Sequence, residues 1–527
     1  MKLKGLGDKS YNMLFHTHTV AGIVISFALF VVFFAGAFSL FRHEIIQWEN
    51  PEARQHIKSN FNYDKALAKL DSVYMIDWHD NASLTFPDEK NPLFTVRAYQ
   101  KTNDSSFHRI SAYIAPDTYR VQDLSHPPTT VGDTIYYLHY FGQLPVVGLY
   151  LSGLVSLFFF FAIVNGVLIH WRNLFTKFFA FFTEGKWRNI WTNAHTVLGV
   201  MGLPFQLMYA ITGAFFGLLT LILIPTVFLL YNGEVDKVYD KVSPEDTIVV
   251  DENADAYRHL SINELSRQVK EAYPQHQIRY ADMRNYGRED ALITFKIDDF
   301  GGLLSSGSLT MYMRDGKLLA EYSVLPNSKT YSESIIPVIG KLHFADFGGI
   351  TMKVIYFVLS LITCFMIISG VLIWRTARDN KRYTYKQRLF HHRVTMVYLA
   401  ICLSMYPAFA VIFLANKSVP VQLAGRVDVV NMIFFFSWLF LIVAGLFWKS
   451  YAKLNRNYLL IGGIFSLLVP VANGIVTGDW IWNTWSTFPY VAYVDLFWLI
   501  AGILALYISF KILPVNTAPD KPSLLIR

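Results

Sequence analysis

Residues 18–38 read HTVAGIVISFALFVVFFAGAF, and residues 195–215 read HTVLGVMGLPFQLMYAITGAF. Both open on a histidine, His18 or His195, and place a glycine four residues later, Gly22 or Gly199. Both close on Gly-Ala-Phe, with Gly36 and Gly213 each 18 residues after the histidine. Neither stretch carries a charge, and each has about the 20 residues that cross hydrocarbon as a helix. A helix is the form that bonds every backbone polar group within one segment in lipid. A second match follows: Leu138-His139 leads to Gly166-Val-Leu-Ile169, and Leu342-His343 leads to Gly370-Val-Leu-Ile373, with 27 residues from histidine to glycine in both. Span, polar segment and span therefore occur twice in one orientation, an internal duplication. Direct repeats of this kind are related by a pseudo-two-fold axis along the membrane normal.

Outward from the repeat, the composition agrees. Hydrophobic residues make up 53% of the 527 and charged residues 16%, which excludes an ordinary soluble protein. Eight spans are expected, at 19–41, 146–170, 196–226, 350–374, 394–415, 429–448, 458–477 and 491–510. The net charge of +7 sits mainly in loops, so it does not point to nucleic acid. Lys2, Lys4 and Lys9 precede the first span; Arg172, Lys177, Lys186 and Arg188 separate the second and third. Arg375, Arg378, Lys381, Arg382, Lys386 and Arg388 separate the fourth and fifth, and Lys449, Lys453 and Arg456 the sixth and seventh. Alternate crossing puts all of these on one side, which the positive-inside rule makes cytoplasmic. The expectation is a bacterial inner-membrane protein with both termini inside. Its first span is not a cleaved signal peptide, because no small-residue cleavage site follows it. Trp480, Trp482 and Trp485 then lie at the outer interface as an aromatic belt.

The expected division is a first span at 1–41, an outer module at 42–140 and spans two and three at 141–232. A second outer module at 233–343, span four at 344–378 and a four-span extension at 379–527 complete it. The modules show strand-like alternation at Leu93–Tyr99, Arg109–Ile114 and Ala291–Ile297, and amphipathic helices at Tyr63–Val73 and Ser261–Ala272. The fold class is an all-α polytopic membrane protein, with a duplicated four-helix bundle and two small extracytoplasmic α+β modules.

The axis gives the histidines their interest. His18 and His195 enter the membrane from the cytoplasmic side, and His139 and His343 stand before spans that start outside. A two-fold bundle brings each pair face to face. Two imidazoles without a cysteine or carboxylate partner suit a six-coordinate haem iron, which leaves no oxygen site and so implies electron transfer. Gly22, Gly36, Gly199 and Gly213 would let a flat macrocycle approach. The competing reading of each histidine alone is an interfacial residue. His16 and His170 are reserve ligands on the cytoplasmic side, and Trp374 stands where the second copy would repeat His170. His391 and His392 open the fifth span; a quinone head group or lipid and a solvated arginine-rich edge are the readings open to them. His43 reads as interfacial, and His56, His79, His108, His126, His259 and His276 as surface residues of the modules. Asp495, Arg426 and Asp428 read as boundary charges, the alternative being a path for quinol protons. Cys364 and Cys402 both lie in apolar runs, so no disulfide framework, iron–sulfur cluster or thiolate zinc site is expected. No Cys-x-x-Cys-His is present, so the haem is b-type and noncovalent.

The histidines with their Gly22 and Gly199, the Leu-His openings, and the Gly-Val-Leu-Ile exits followed by Arg172 and Arg375 resemble the PepSY-associated transmembrane family. Glu44 beyond the first span also fits it. The outer modules look like PepSY domains: Ser261–Ala272 is followed by Tyr273-Pro274, and later strands end in Tyr312-Met-Arg-Asp315-Gly316. In the first module the comparable fragment runs from His108 to Asp117, with Thr118 in place of the usual glycine. The resemblance covers residues 10–378 and leaves the four spans after 390 as a departure.

The family includes inner-membrane ferric-siderophore reductases, so the resemblance implies an oxidoreductase that carries two b haems and releases iron as Fe(II) outside. The electron donor would be a membrane quinol or a cytoplasmic reductase, because no dinucleotide fingerprint or P-loop is present. The alternatives are a haem protein serving another periplasmic acceptor and a haem-free regulator of a peptidase. An ion transporter is poorly supported, because only the eighth span carries a central charge, Asp495.

Overall fold

The computed structural model describes residues 7–54, 61–88, 93–101, 107–116, 118–123, 130–177, 187–234, 237, 248–251, 253–298, 306–322 and 331–513. Lys2, Lys4, His56, Asp117, His126 and Lys186 lie outside the described residues. In chain order, α1 (Asp8–Ser39), α2 (Arg42–Glu49) and α3 (Tyr63–Tyr74) lead to β1 (Ile76–Asp77), β2 (Ala82–Thr85), β3 (Phe94–Lys101), β4 (Phe107–Ile114) and β5 (Val121–Asp123). Next come α4 (Val131–His139), α5 (Val147–His170), α6 (Leu174–Lys177), α7 (Trp187–Met201) and α8 (Leu203–Tyr231). They are followed by α9 (Ile262–Ala272), β6 (Gln277–Arg284), β7 (Leu292–Asp298), β8 (Ser306–Tyr312) and β9 (Leu318–Tyr322). The remainder is helical: α10 (Tyr331–Phe344), α11 (Gly349–Arg378), α12 (Tyr385–Ser418), α13 (Arg426–Leu446), α14 (Tyr451–Thr477), α15 (Ile481–Thr487) and α16 (Pro489–Lys511).

Among the described residues eight helices are long and apolar enough to cross a membrane: α1, α5, α8, α11, α12, α13, α14 and α16. They match the eight expected spans, and the chain is a multi-pass membrane protein. The third span departs from its expected limits. Instead of one helix over 196–226, the chain breaks at Gly202 between α7 and α8. A Cβ there would lie 3.1 Å from the Leu198 carbonyl and 2.6 Å from the flexible end of Gln206, so a side chain at this point would be tight.

The chain divides into two compact units. The first holds residues up to Glu49, Thr130–Leu219 and Lys353 onward. Within it α1 packs along α5. Gly153 of α5 and Gly217 of α8 meet backbone to backbone, since a Cβ on Gly217 would lie 2.4 Å from the Gly153 Cα. Small residues at helix crossings permit this approach in membranes, where dispersion contacts rather than water drive association. Aromatic rings fill the middle: Phe33 stands 5.5 Å from Phe159 and 6.0 Å from Tyr209, and Tyr209 stands 5.7 Å from Tyr356. The extension packs directly on this bundle. Phe409 of α12 lies 5.1 Å from Phe34 and 5.0 Å from Phe38 of α1, and Trp498 of α16 lies 6.0 Å from Phe38.

The second unit, Asn50–Thr129 with Thr220–Met352, joins the two polar segments in one antiparallel sheet of order β5-β4-β3-β2-β6-β7-β8-β9, with β1 on β3. The expected separate modules share their central seam, where Ala82–Thr85 pair with Met283–Tyr280. The amphipathic α3 and α9 bury Leu67, Leu70, Leu265 and Val269 against Leu84, Val96 and Phe295 of the sheet. Burying each such side chain contributes about 1.5–3 kcal/mol. The two helices cap each other: Asp64 accepts the Ile262 and Asn263 amides at 2.8 and 3.2 Å, and Asn263 accepts the Tyr63 amide at 2.7 Å. Each side chain thus satisfies orphan donors at the other helix's first turn.

Candidate functional site

Three of the four repeat histidines are held in the same way. His18 on α1 sets Nδ1 2.8 Å from the Ala162 carbonyl of α5. His195 on α7 sets Nδ1 2.9 Å from the Met366 carbonyl of α11, with Ser369 Oγ at 3.2 Å. His139 at the end of α4 sets Nδ1 2.8 Å from the Val32 carbonyl of α1. Each accepting residue stands four before a glycine of the repeat: Gly166, Gly370 and Gly36. On a helix, positions i and i+4 lie on one face. The ring that reaches the carbonyl therefore passes over the bare Cα one turn on. A Cβ at Gly166 would meet His18 Cε1 at 3.4 Å, one at Gly370 would meet His195 Cε1 at 3.2 Å, and one at Gly36 would meet His139 Nδ1 at 2.6 Å.

The chemical consequence is a fixed tautomer. A carbonyl only accepts, so Nδ1 carries the proton and Nε2 the lone pair. That is the form in which a backbone-anchored imidazole ligates metal. Burial pushes the His139 imidazole below its ordinary pKa, against the opposing bond to Val32, and keeps it neutral.

The structure brings His18 and His195 together, with ring centroids 6.2 Å apart and planes at 76°. Two imidazoles on opposite sides of one metal, with bonds of about 2.0 Å and ring nitrogens about 1.1 Å from their centroids, would stand about 6.2 Å apart. The glycine one turn after each histidine is little obstructed: nothing lies within 4 Å of a Cβ at Gly22, and Gly199 meets only Met366 Sδ at 3.6 Å. Gly36 and Gly213 behave otherwise than expected. The first is covered by His139 itself, and a Cβ on the second would lie 2.7 Å from Ser156 Oγ, so neither is an opening for a macrocycle.

His343 lies in the second unit, near the end of α10 and partly buried, its ring 5.3 Å from Phe344. Its surroundings repeat those of His139 locally: Phe141 and Ala345, each two residues after the histidine, have φ of 57° and 56°. Of the reserve ligands, His16 is exposed beside Phe15, whereas His170 at the end of α5 is partly buried. His391 stands 5.2 Å from Trp374, and buried His392 sets Nε2 3.3 Å from the Lys449 carbonyl, so the pair is not simply a solvated edge. His259, expected as a plain surface residue, accepts the Gly287 amide at 2.9 Å. Trp482 and Trp485 are exposed, and Trp480 stacks on Trp482 at 5.1 Å.

Polar residues that sequence reasoning passed over surround the His139 helix. Glu49 at the end of α2 accepts the amides of Thr130, Val131 and Gly132 at 3.0, 2.9 and 3.3 Å, and Asn416 Nδ2 at 2.9 Å. A carboxylate at this end of α4 complements the helix dipole. Lys417 donates to the Trp48 carbonyl at 2.8 Å, and Trp48 Nε1 donates to Asp495 at 2.7 Å. Asn473 completes Asp495 at 2.8 Å. Asp495 and Arg426 are therefore buried hydrogen-bonded ties rather than boundary charges, while Asp428 is exposed. Glu44 pairs with Lys353 at 2.7 Å, both buried. Among the described residues no group of three or more His, Cys, Asp or Glu could hold a metal ion.

No curated protein matches the chain. The model of the PepSY-associated TM region matches residues 15–377, from just before His18 to just before Arg378, and this chain belongs to that family.

Proposed function

We propose that the chain is a di-haem oxidoreductase of an inner membrane, holding one b haem between His18 and His195 and a second between His139 and His343. The observation that carries this reading is the His18–His195 pair, spaced at 6.2 Å with both Nδ1 atoms spent on backbone carbonyls. Haem held by two histidines supplies one-electron transfer. The protein's part is to fix the rings of His18, His195 and His139 by a carbonyl and a glycine each and to keep their Nε2 unprotonated. Tyr209 and Tyr356 pack the middle of the bundle, with ring centroids 5.7 Å apart. The positive loops support an orientation with both termini cytoplasmic and His139 and His343 toward the outer side. Ferric siderophores as acceptor rest on the family resemblance, and reduction releases iron because hard oxygen ligands hold Fe(II) less strongly than Fe(III).

The test is a visible spectrum and pyridine haemochrome count of purified protein. The expected result is two low-spin b haems, of which His139→Ala retains one. Dithionite-reduced protein should reoxidise when a ferric siderophore is added without oxygen, and a ferrous chelator should trap the product. Colourless protein after expression with ample haem sinks the reading. Reduced haem that stays reduced across a panel of siderophores transfers the role to another periplasmic acceptor.

A further inference from the structure

Between α4 and α13 lies a half-open niche lined by Thr134, Tyr137, Gly142, Gln143, Asn431 and Phe435, with a cavity volume of about 150 Å³. That lies below the range for pockets that bury a whole drug-sized ligand, so the niche has room for a head group alone. We infer that it binds the head group of a membrane quinol, the electron donor of the oxidoreductase; this rests on the electron-transfer reading above.

Five observations point to that ligand. Among the described residues no charged side chain lines the niche, and Arg42 on α2 is paired with Asp133, so an anionic lipid head group finds no free cation there. The polar groups are neutral and mixed. Thr134 Oγ1 donates to Asn431 Oδ1, which leaves the Asn431 amide as a donor beside the Tyr137 hydroxyl. Asn431 sits in the second turn of a membrane-crossing helix, where a polar side chain is a functional candidate. On the same helix Met432 and Phe436 are exposed and apolar, a flank suited to an isoprenoid tail. The position is also apt for electron transfer: Thr134 precedes His139 by five residues of α4, about 7.5 Å of helix rise. Each quinol oxidised to quinone would give up two electrons, passed one at a time to the iron at His139 and on to two ferric chelates, and two protons released to water.

The experiment is photolabelling of the full-length protein in phosphatidylcholine nanodiscs with an azido-quinone, with haem counted in the same sample. Label is expected on the peptides carrying Tyr137 and Phe435, displaced by unlabelled quinone. Asn431→Leu should cut labelling about tenfold, the worth of one hydrogen bond, and slow haem reduction by quinol equally, while dithionite reduction and haem content stay unchanged. Thr134→Val is the second variant should Asn431→Leu not fold, with the same result expected. Label on other peptides, undiminished labelling in a folded variant, or displacement by phosphatidylglycerol rather than quinone overturns the site. Haem without labelling removes this inference alone, whereas labelling without haem keeps the quinone site and removes the electron-transfer reading.

Discussion

Gly36→Ala tests the histidine cradle at its tightest point. A Cβ at Gly36 would lie 2.6 Å from His139 Nδ1 and 2.8 Å from Cε1, whereas ordinary contact begins at 3.4 Å. The ring, or α1 beneath it, must move by about 0.8 Å. The atoms hit are those nearest the bond to Val32, so a shift of that size takes the 2.8 Å contact beyond hydrogen-bonding range. Overpacking of about 1–3 kcal/mol and a lost hydrogen bond of about 1 kcal/mol together give a destabilisation of about 2–4 kcal/mol. The other two cradles supply internal controls. At Gly370 the contact is 3.2 Å and at Gly166 it is 3.4 Å, so Gly370→Ala should cost less than Gly36→Ala, and Gly166→Ala almost nothing. Thermal unfolding in detergent measures the series, and haem content per chain measures the histidine directly. Gly36→Ala should lower both, with the His18–His195 site intact. Equal melting of all three variants, or greater damage from Gly166→Ala, refutes the idea that the glycines exist to seat the rings.

Two further predictions concern buried charge. Burial pushes the Glu49 carboxyl from 4.5 up to about 7, with the Thr130, Val131 and Gly132 amides opposing. Between those values the folded state holds the extra proton, so stability should fall as pH rises from about 4.5 to about 7, by about 3 kcal/mol at most, and Glu49→Gln should flatten that slope in unfolding measured across the window. Lys353→Met strands the Glu44 carboxylate and should cost about 3–5 kcal/mol, most of it recovered in the Glu44→Gln/Lys353→Met double variant; a single variant as stable as the parent would mean that the pair is solvated.

The spans and the histidines were legible because each has a local signature: apolar length for the helices, and a duplicated histidine-to-glycine spacing for the site. The partners of the histidines were not. Val32, Ala162 and Met366 act through backbone carbonyls, which every residue possesses, and only the structure says which carbonyl a ring meets. Asp495 stood out as a charge in a span, but its satisfaction by Trp48, 447 residues away, leaves no mark in the sequence. Glu49 carries no sequence signature, because a side chain that caps a helix from a distant segment lacks the fixed offset of a local cap. The shared sheet escaped for a similar reason. Alternation identifies strands such as Ala291–Ile297, but register between segments from two copies is set by the common core that Leu84 and Phe295 enter together.

That shared sheet has a consequence for how the protein is made. Ser83 of β2 is hydrogen-bonded to Asp282 of β6, 199 residues further along. At about 5–20 residues per second of synthesis, β2 emerges roughly 10–40 s before its neighbour exists. During that interval β2 is a sheet edge with unpaired amides and carbonyls, open to any passing strand. The ribosome must meanwhile deliver α5 and α8 to the membrane. Biogenesis of this chain thus calls for a guardian of the nascent edge, a chaperone on the side where the segment emerges or the insertion machinery itself, until β6 arrives to close it.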